Sequence, residues 1–250
     1  MTVTTSPAIT LRGVSKRFTP SGPRVLDSVD LEIAAGEFVC LLGASGCGKS
    51  TVLNLIAGLD TPTEGSLSVP SGRVAMMFQD PALLPWLTAR RNVELALEFA
   101  GYGRLERRER ARELLDLVSL SHALTRRPHQ LSGGMRQRVA LARALAQDRS
   151  VLLMDEPFAA IDAITRDVLH VELERIWHQT ARTIVFVTHN VREALRLGQR
   201  VVLLHPNPGR IGAQWNIPER VRQGHDALEI ARLESEITRT LRGELVENVA

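Results

Sequence analysis

Apolar residues alternate with polar ones near the start of the chain and later run together. Residues 8–12 and 25–33 alternate, as in Val25-Leu26-Asp27-Ser28-Val29-Asp30-Leu31-Glu32-Ile33. A period of two gives a strand one core face and one wet face, so these segments predict antiparallel strands. After Gly36 the alternation stops. Phe38-Val39-Cys40-Leu41-Leu42, Val151-Leu152-Leu153-Met154, Ile184-Val185-Phe186-Val187 and Val201-Val202-Leu203-Leu204 are unbroken apolar runs. Such runs predict strands covered on both faces, as in a central parallel sheet.

Helical patterns follow several of these runs: Lys49 to Ala57 stopped by Gly58, Asp162 to about Thr180, and Val191 to Leu197 stopped by Gly198. Strand alternating with helix is the pattern of an α/β core. Between Pro81 and Gln147 the strand signals give way to helical ones, which predicts a helical subdomain inserted at about 82–147. The segment from about 206 to 250 reads as a short C-terminal extension. In it Ile230, Leu233, Ile237 and Leu241 lie at the spacing of a helix packed on the body. The whole chain, residues 1–250, is expected to form a single domain.

Composition narrows the function. With 44% hydrophobic residues in 250, the chain can bury a full core. Its 31 basic and 28 acidic residues are spread along the sequence and make no case for a nucleic-acid partner. The arginine-rich stretch from Arg104 carries Glu106, Glu109 and Glu113 between its cations and no aromatic, so it reads as a solvated helix face. Met1 to Thr10 has neither a basic nor an apolar leader region, and no run approaches the ~18 apolar residues of a membrane span. The chain is therefore expected in the cytosol. Two cysteines, Cys40 and Cys47, are too few for a disulfide framework or a zinc cage.

The chemistry concentrates in a few places. Gly43-Ala44-Ser45-Gly46-Cys47-Gly48-Lys49-Ser50-Thr51 fits G-x-x-x-x-G-K-S between an apolar strand and a helix. There the loop amides wrap phosphates, Lys49 reaches the β and γ oxygens, and the Ser50 hydroxyl suits Mg²⁺. Cys47 is either a small packing residue or, at a helix N-terminus, a thiol acidified enough to react. Asp155 and Glu156 close the apolar run from Val151, at the strand end where a parallel sheet opens its ligand crevice. Asp155 suits the metal shell, and Glu156 can polarise the water that attacks a γ-phosphate. His189 ends another apolar run and can touch a γ-phosphate. Gln79, after Val74-Ala75-Met76-Met77-Phe78, can offer its amide oxygen to Mg²⁺ or to that water.

A second anion-seeking element is separate from this set. In Leu131-Ser132-Gly133-Gly134-Met135-Arg136-Gln137-Arg138, Ser132 is a good N-cap, and the glycines admit close backbone approach. Met135, Val139, Ala142 and Ala146 follow at helical spacing. The result is a helix N-terminus that favours an anion, in a chain that already has a phosphate loop.

In order and spacing, the loop, Gln79, this octapeptide, Asp155-Glu156 and His189 resemble the nucleotide-binding domains of ATP-binding-cassette proteins, over residues 8 to about 210. The resemblance implies a P-loop NTPase α/β fold with an antiparallel β subdomain and the helical insert. It implies adenine stacked on Phe18, where the family more often has tyrosine, and a dimer-contacting loop at Ala160-Ile161-Asp162. Ser132, Gly133, Gly134 and Gln137 become the signature that acts on a partner subunit's ATP. Within the superfamily the chain looks like importer ATPases of the nitrate, sulfonate and taurine group. The marks are Phe78-Gln79-Asp80 with Leu83-Leu84-Pro85-Trp86, Met154-Asp155-Glu156-Pro157-Phe158, and Pro208-Gly209-Arg210-Ile211.

That likeness implies ATP and Mg²⁺ as ligands, two copies of the chain under two membrane-spanning permease subunits, and an extracytoplasmic solute-binding protein. The site of action is then the cytoplasmic face of the inner membrane. The permease subunits are expected near Gln79 and the helical insert, with Leu83, Leu84 and Trp86 as candidate contacts, although all three suit a core equally. Aliphatic sulfonates are the first expectation for the solute, with nitrate or taurine as alternatives. A cassette acting on nucleic acid or ribosomes is expected to bring a long coiled-coil insertion, a second cassette or a basic tail, which these 250 residues lack. A regulatory module without catalysis conflicts with Lys49, Glu156 and His189. The chain departs from the family at Ala159 and Ile161, usually glycine and leucine, and at Asn190, usually aspartate.

Overall fold

The computed structural model describes residues 7–69, 74–159 and 161–247. The chain divides into two compact units, one formed by residues up to Val74 together with those from Ala181 onward, the other by Ala75–Thr180. The first unit opens with β1 (Pro7–Lys16), β2 (Leu26–Ala34), β3 (Phe38–Leu42), α1 (Lys49–Ile56) and β4 (Glu64–Ser68). β1 pairs antiparallel with β2 on one side and with β4 on the other. Ile9, Leu11 and Val14 lie opposite or beside Ile33, Leu31 and Val29, and all six are buried while Asp30 and Glu32 face water. The period-two pattern therefore becomes an amphipathic sheet as expected. Asp27 shares the inward phase of Val29 and Leu31 and is buried although polar. β4 was not anticipated, because Glu-Gly-Ser-Leu-Ser holds one apolar residue. Its backbone pairing with β1, not side-chain burial, makes it a strand.

The second unit contains β5 (Val74–Met77), α2 (Ala89–Phe99), α3 (Arg104–Leu117), α4 (Gly133–Leu145), β6 (Val151–Asp155) and α5 (Ala163–Thr180). β5 and β6 are neighbouring strands, and α2, α3 and α4 pack on one another. The helical stretch between Pro81 and Gln147 is as the sequence implied. α3 buries only Ala111 and Leu115 and pairs Arg110 with Glu113 and Arg107 with Glu98 of α2, a solvated face. Asn92 of α2 is buried and pins the preceding loop: its Oδ1 accepts from the Leu84 N–H at 2.9 Å, and its Nδ2 donates to the carbonyls of Leu84, Leu87 and Thr88. Neutral hydrogen bonds of this kind contribute about 1 kcal/mol each. In that loop Leu83 and Leu84 are half-buried and Trp86 is exposed.

The first unit resumes with β7 (Thr183–Thr188), α6 (Val191–Leu197), β8 (Arg200–His205), β9 (Arg210–Asn216), α7 (Glu219–Arg222) and α8 (Ala227–Glu247). β3 lies between β7 and β8, parallel to both, and β9 adds antiparallel to β8. β3, β7 and most of β8 are wholly buried, as unbroken apolar runs require. α8 buries Leu233 and Ile237, and the Trp215 indole of β9 donates to Glu236 on it.

Two glycines expected as helix stops act differently. Gly58 has φ +71° just after α1, the left-handed conformation that ends a helix. Gly198 has φ −75°; it is glycine because a Cβ there would meet the Cys40 sulfur at 2.9 Å and the Ala194 carbonyl at 3.0 Å. Among the described residues, no helix is long and apolar enough to cross a membrane.

Candidate functional site

The phosphate loop leaves the C-terminal end of β3 and enters α1. A Cβ on Gly43 would lie 2.6 Å from the Leu204 carbonyl oxygen of β8 and 2.7 Å from the Cys47 sulfur, so only glycine fits. Gly46 and Gly48 have φ +80° and +101°, which turn the backbone around the cradle. Gly48 is the N-cap of α1 and offers no side chain, so the first N–H groups of the helix stay available to an anion. Lys49 is buried, and its Nζ donates to the carbonyls of Gly43 at 2.9 Å and Ala44 at 2.8 Å. Its ammonium thus stands across the loop's mouth. Ser45, Gly46 and Ser50 are exposed, while Ala44 and Thr51 are half-buried.

His189 lies beside this loop. Leu42 of β3 is in register with Thr188 of β7, so Gly43 and His189 leave the same end of adjacent parallel strands, spaced about 4.8 Å apart. His189 is exposed there. Asn190, which replaces the family's usual aspartate, still caps α6: its Oδ1 accepts from the N–H groups of Arg192 at 3.0 Å and Glu193 at 3.3 Å. Phe18 follows β1 with its ring 65% exposed and the Lys16 ammonium 5.4 Å from the ring centroid.

In the second unit Asp155 is the buried last residue of β6 and Glu156 follows at φ +43°. A β-carbon residue held in the left-handed region is strained, and such strain concentrates where a side chain must be aimed. Gln79 is exposed just beyond β5.

Ser132 caps α4 as its sequence implied, its hydroxyl accepting from the Met135 N–H at 3.2 Å. A cap of this kind stabilises a helix by about 1 kcal/mol. Gly133 and Gly134 stand half-buried behind it, and Ile161, the departure from leucine, packs by Gly134. Asp162 accepts from the Thr165 N–H at 3.0 Å at the start of α5, and that bond holds its carboxyl below the ordinary carboxylate range. Ala160, the other expected member of the dimer loop, lies outside the described residues.

Gln137 is the buried member of the expected signature set. It is 3% exposed, and its Nε2 donates to the carbonyl of Gln79 at 2.7 Å. Its Oε1 is buried without a hydrogen-bond partner. Arg143, two turns along α4, donates to the carbonyls of Ala82 at 2.8 Å and Pro81 at 2.6 Å. Together they tie the signature helix to the segment after Gln79. Sequence reasoning missed Arg143, because an arginine on an amphipathic helix gives no signal of bonding backbone. It also missed Asp27, although an acid at an inward strand position was a legible signal. Asp27 accepts from Arg210 and Arg24, which hold its carboxyl below the usual range, Arg210 foremost.

These features, a phosphate cradle with its lysine, two acids at a strand end and a second capped anion-seeking helix, define a nucleotide-hydrolysing cassette. The sequence profile of the ABC transporter family matches residues 26–159, and the chain belongs to that family and is an ATPase of it. It is 44% identical to the aliphatic sulfonates import ATP-binding protein of Mesorhizobium japonicum, over 94% of this chain and 89% of that one. With the taurine import ATP-binding protein of Sinorhizobium fredii it shares 47% identity over 76% of this chain and 73% of that one. A dimeric ATP-binding cassette in a post-hydrolysis state, bound to ADP and phosphate, superposes with a TM-score of 0.76 at 34% identity. The match covers 84% of this chain and 99% of that one.

Cys47 resolves in favour of packing. It is 1% exposed, and burial raises its thiol pKa against the opposing pull of Lys49, so little thiolate forms near neutrality. Iodoacetamide at pH 7.5 is expected to leave native protein unlabelled and its ATPase rate intact, and to label Cys47 after unfolding. Rapid labelling of Cys47 in the native chain, read by peptide mass mapping, contradicts this.

Proposed function

We propose that this chain is the ATP-hydrolysing subunit of an importer of small anionic solutes, aliphatic sulfonates first, with nitrate or taurine as alternatives. The observation that carries the catalytic half is the pairing of β3 with β7, which brings Gly43 and His189 to one strand end. The names of the sulfonate and taurine import relatives support the transport half. Residues 1–250 act as a single ATPase domain, with the helical insert at about 82–147 and the extension from about 206 as its parts.

In this reading the amides of Gly43 to Thr51 and the Lys49 ammonium bind the phosphates of ATP, and the exposed ring of Phe18 stacks the adenine. The hydroxyl of Ser50, the carboxylate of Asp155 and the amide oxygen of Gln79 are hard oxygen donors of the type magnesium takes, and fit a Mg²⁺ that offsets phosphate charge. Glu156 orients and polarises the attacking water, and His189 contacts the γ-phosphate. Ser132, Gly133 and Gly134 cap the ATP held by a second copy of the chain, with Asp162 in the contacting loop. Gln137 belongs to the same signature, and its bond to the Gln79 carbonyl holds it in place. Dimer closure and hydrolysis then drive two permease subunits fed by an extracytoplasmic binding protein, with this chain held peripherally at the cytoplasmic face of the inner membrane. Trp86, exposed on the loop that Asn92 pins, is a contact for those subunits.

Glu156→Gln is expected to slow hydrolysis at least a hundredfold or so and to leave an ATP-bound dimer on size exclusion. Full turnover by that variant removes Glu156 from its role. For the solute, deletion of the gene followed by growth on a sulfonate as sole sulfur source and on nitrate as sole nitrogen source gives the class. A defect confined to sulfonate is expected; a defect confined to nitrate overturns that choice.

A further inference from the structure

Pro208-Gly209-Arg210 forms the turn between β8 and β9 and lies against the outside of the phosphate loop. A Cβ on Gly209 would sit 2.5 Å from the Cys47 carbonyl oxygen, 2.8 Å from the Leu26 side chain and 2.9 Å from the Val25 carbonyl. Gly209 is not among the residues with positive φ, so close approach alone requires glycine there. The fully buried Leu26 side chain also fills the space behind Gly48, where a Cβ would meet it at 2.7 Å. Leu26 is thus a peg between the last glycine of the loop and the glycine of the turn.

The turn is fastened on both sides of that peg. The Gly209 N–H donates to the Val25 carbonyl at 2.8 Å, and the Asp27 N–H donates to the Gly209 carbonyl at 2.9 Å. Arg210 then closes the arrangement, its Nε donating to Asp27 Oδ2 at 2.9 Å. Arg24 bonds the other Asp27 oxygen and reaches both oxygens of Glu64 at 3.0 Å. A row of alternating charges, Arg210, Asp27, Arg24 and Glu64, therefore links β9, the start of β2 and β4.

Lys49 fixes the first carbonyls of the cradle from within, but the cradle's affinity depends on all the backbone amides already pointing inward. We infer that the Pro208-Gly209-Arg210 turn, latched to Asp27, is a clamp that holds the phosphate loop in its binding conformation, so that Gly209, Arg210 and Asp27 are positioning residues for ATP. The inference rests on the reading that residues 43–51 bind ATP.

The test is steady-state ATPase kinetics with fluorescent-nucleotide titration on the full chain. Gly209→Ala must displace the Cys47 carbonyl away from the turn and is expected to raise KM and Kd for ATP about tenfold, with kcat within about twofold of wild type. Arg210→Ala and Asp27→Asn are expected to raise KM about threefold each, the double variant no more than either alone, and Arg210→Lys to recover part of the loss. A purely structural role instead lowers the active fraction and the melting temperature and leaves KM unchanged. Wild-type KM in both Gly209→Ala and Arg210→Ala overturns the clamp; if Gly209→Ala does not fold, the exposed Arg210→Ala decides alone. Lys49→Ala separates the two claims. ATP binding lost in Lys49→Ala but untouched in the clamp variants overturns the clamp only, whereas wild-type binding in Lys49→Ala overturns the site reading with it.

Discussion

On the proposal that residues 43–51 bind phosphate with their backbone, that loop has to be held from behind, and much of the first unit answers that constraint. The N–H groups that serve the ligand cannot also be tied to neighbours, so the loop's outer side must be fixed by close packing. At Gly43 the Leu204 carbonyl fills the space a Cβ would need, and at Gly48 the Leu26 side chain does. β8 must then run parallel beside β3, and β2 must begin against α1's N-terminus. The buried parallel strands supply the rigidity; the glycines allow the approach.

Much of this was legible in the sequence, for different reasons in different places. β3, β7 and β8 are continuous apolar runs because both faces are covered, and β1 and β2 alternate because one is not. The phosphate loop and the Ser132 cap are local motifs whose geometry depends on few neighbours, so residue type and order sufficed. β4 and β9 were not read: β4 is made a strand by its partner's hydrogen bonds, and β9, with Ile211, Ala213 and Trp215 only half-buried, carries its pattern at the sheet edge. Gly198 read as a helix stop and Gly209 as part of a family mark, whereas their necessity comes from distant atoms of Cys40 and Cys47.

The second unit shows a different dependence. Gln137, assigned to the signature by resemblance, lies one turn along α4 from Gly133 and donates to the Gln79 carbonyl. With Arg143 on the carbonyls of Pro81 and Ala82, α4 and the Gln79 segment form one mechanical piece. Asn92 and Asp27 are likewise buried polar residues held by hydrogen bonds, and in each case the sequence position alone gave no partner.

The central claim is that this chain contributes its phosphate loop to one ATP and its signature to another. Mixing two inactive variants, Lys49→Ala and Ser132→Arg, tests it most directly. Each homodimer has both sites damaged, whereas the mixed dimer has one intact site made of Lys49 from one chain and Ser132 from the other. Random re-association is expected to restore about a quarter of wild-type ATPase activity, since half the dimers are mixed and each holds one of two sites. A mixture as inactive as its components contradicts the account.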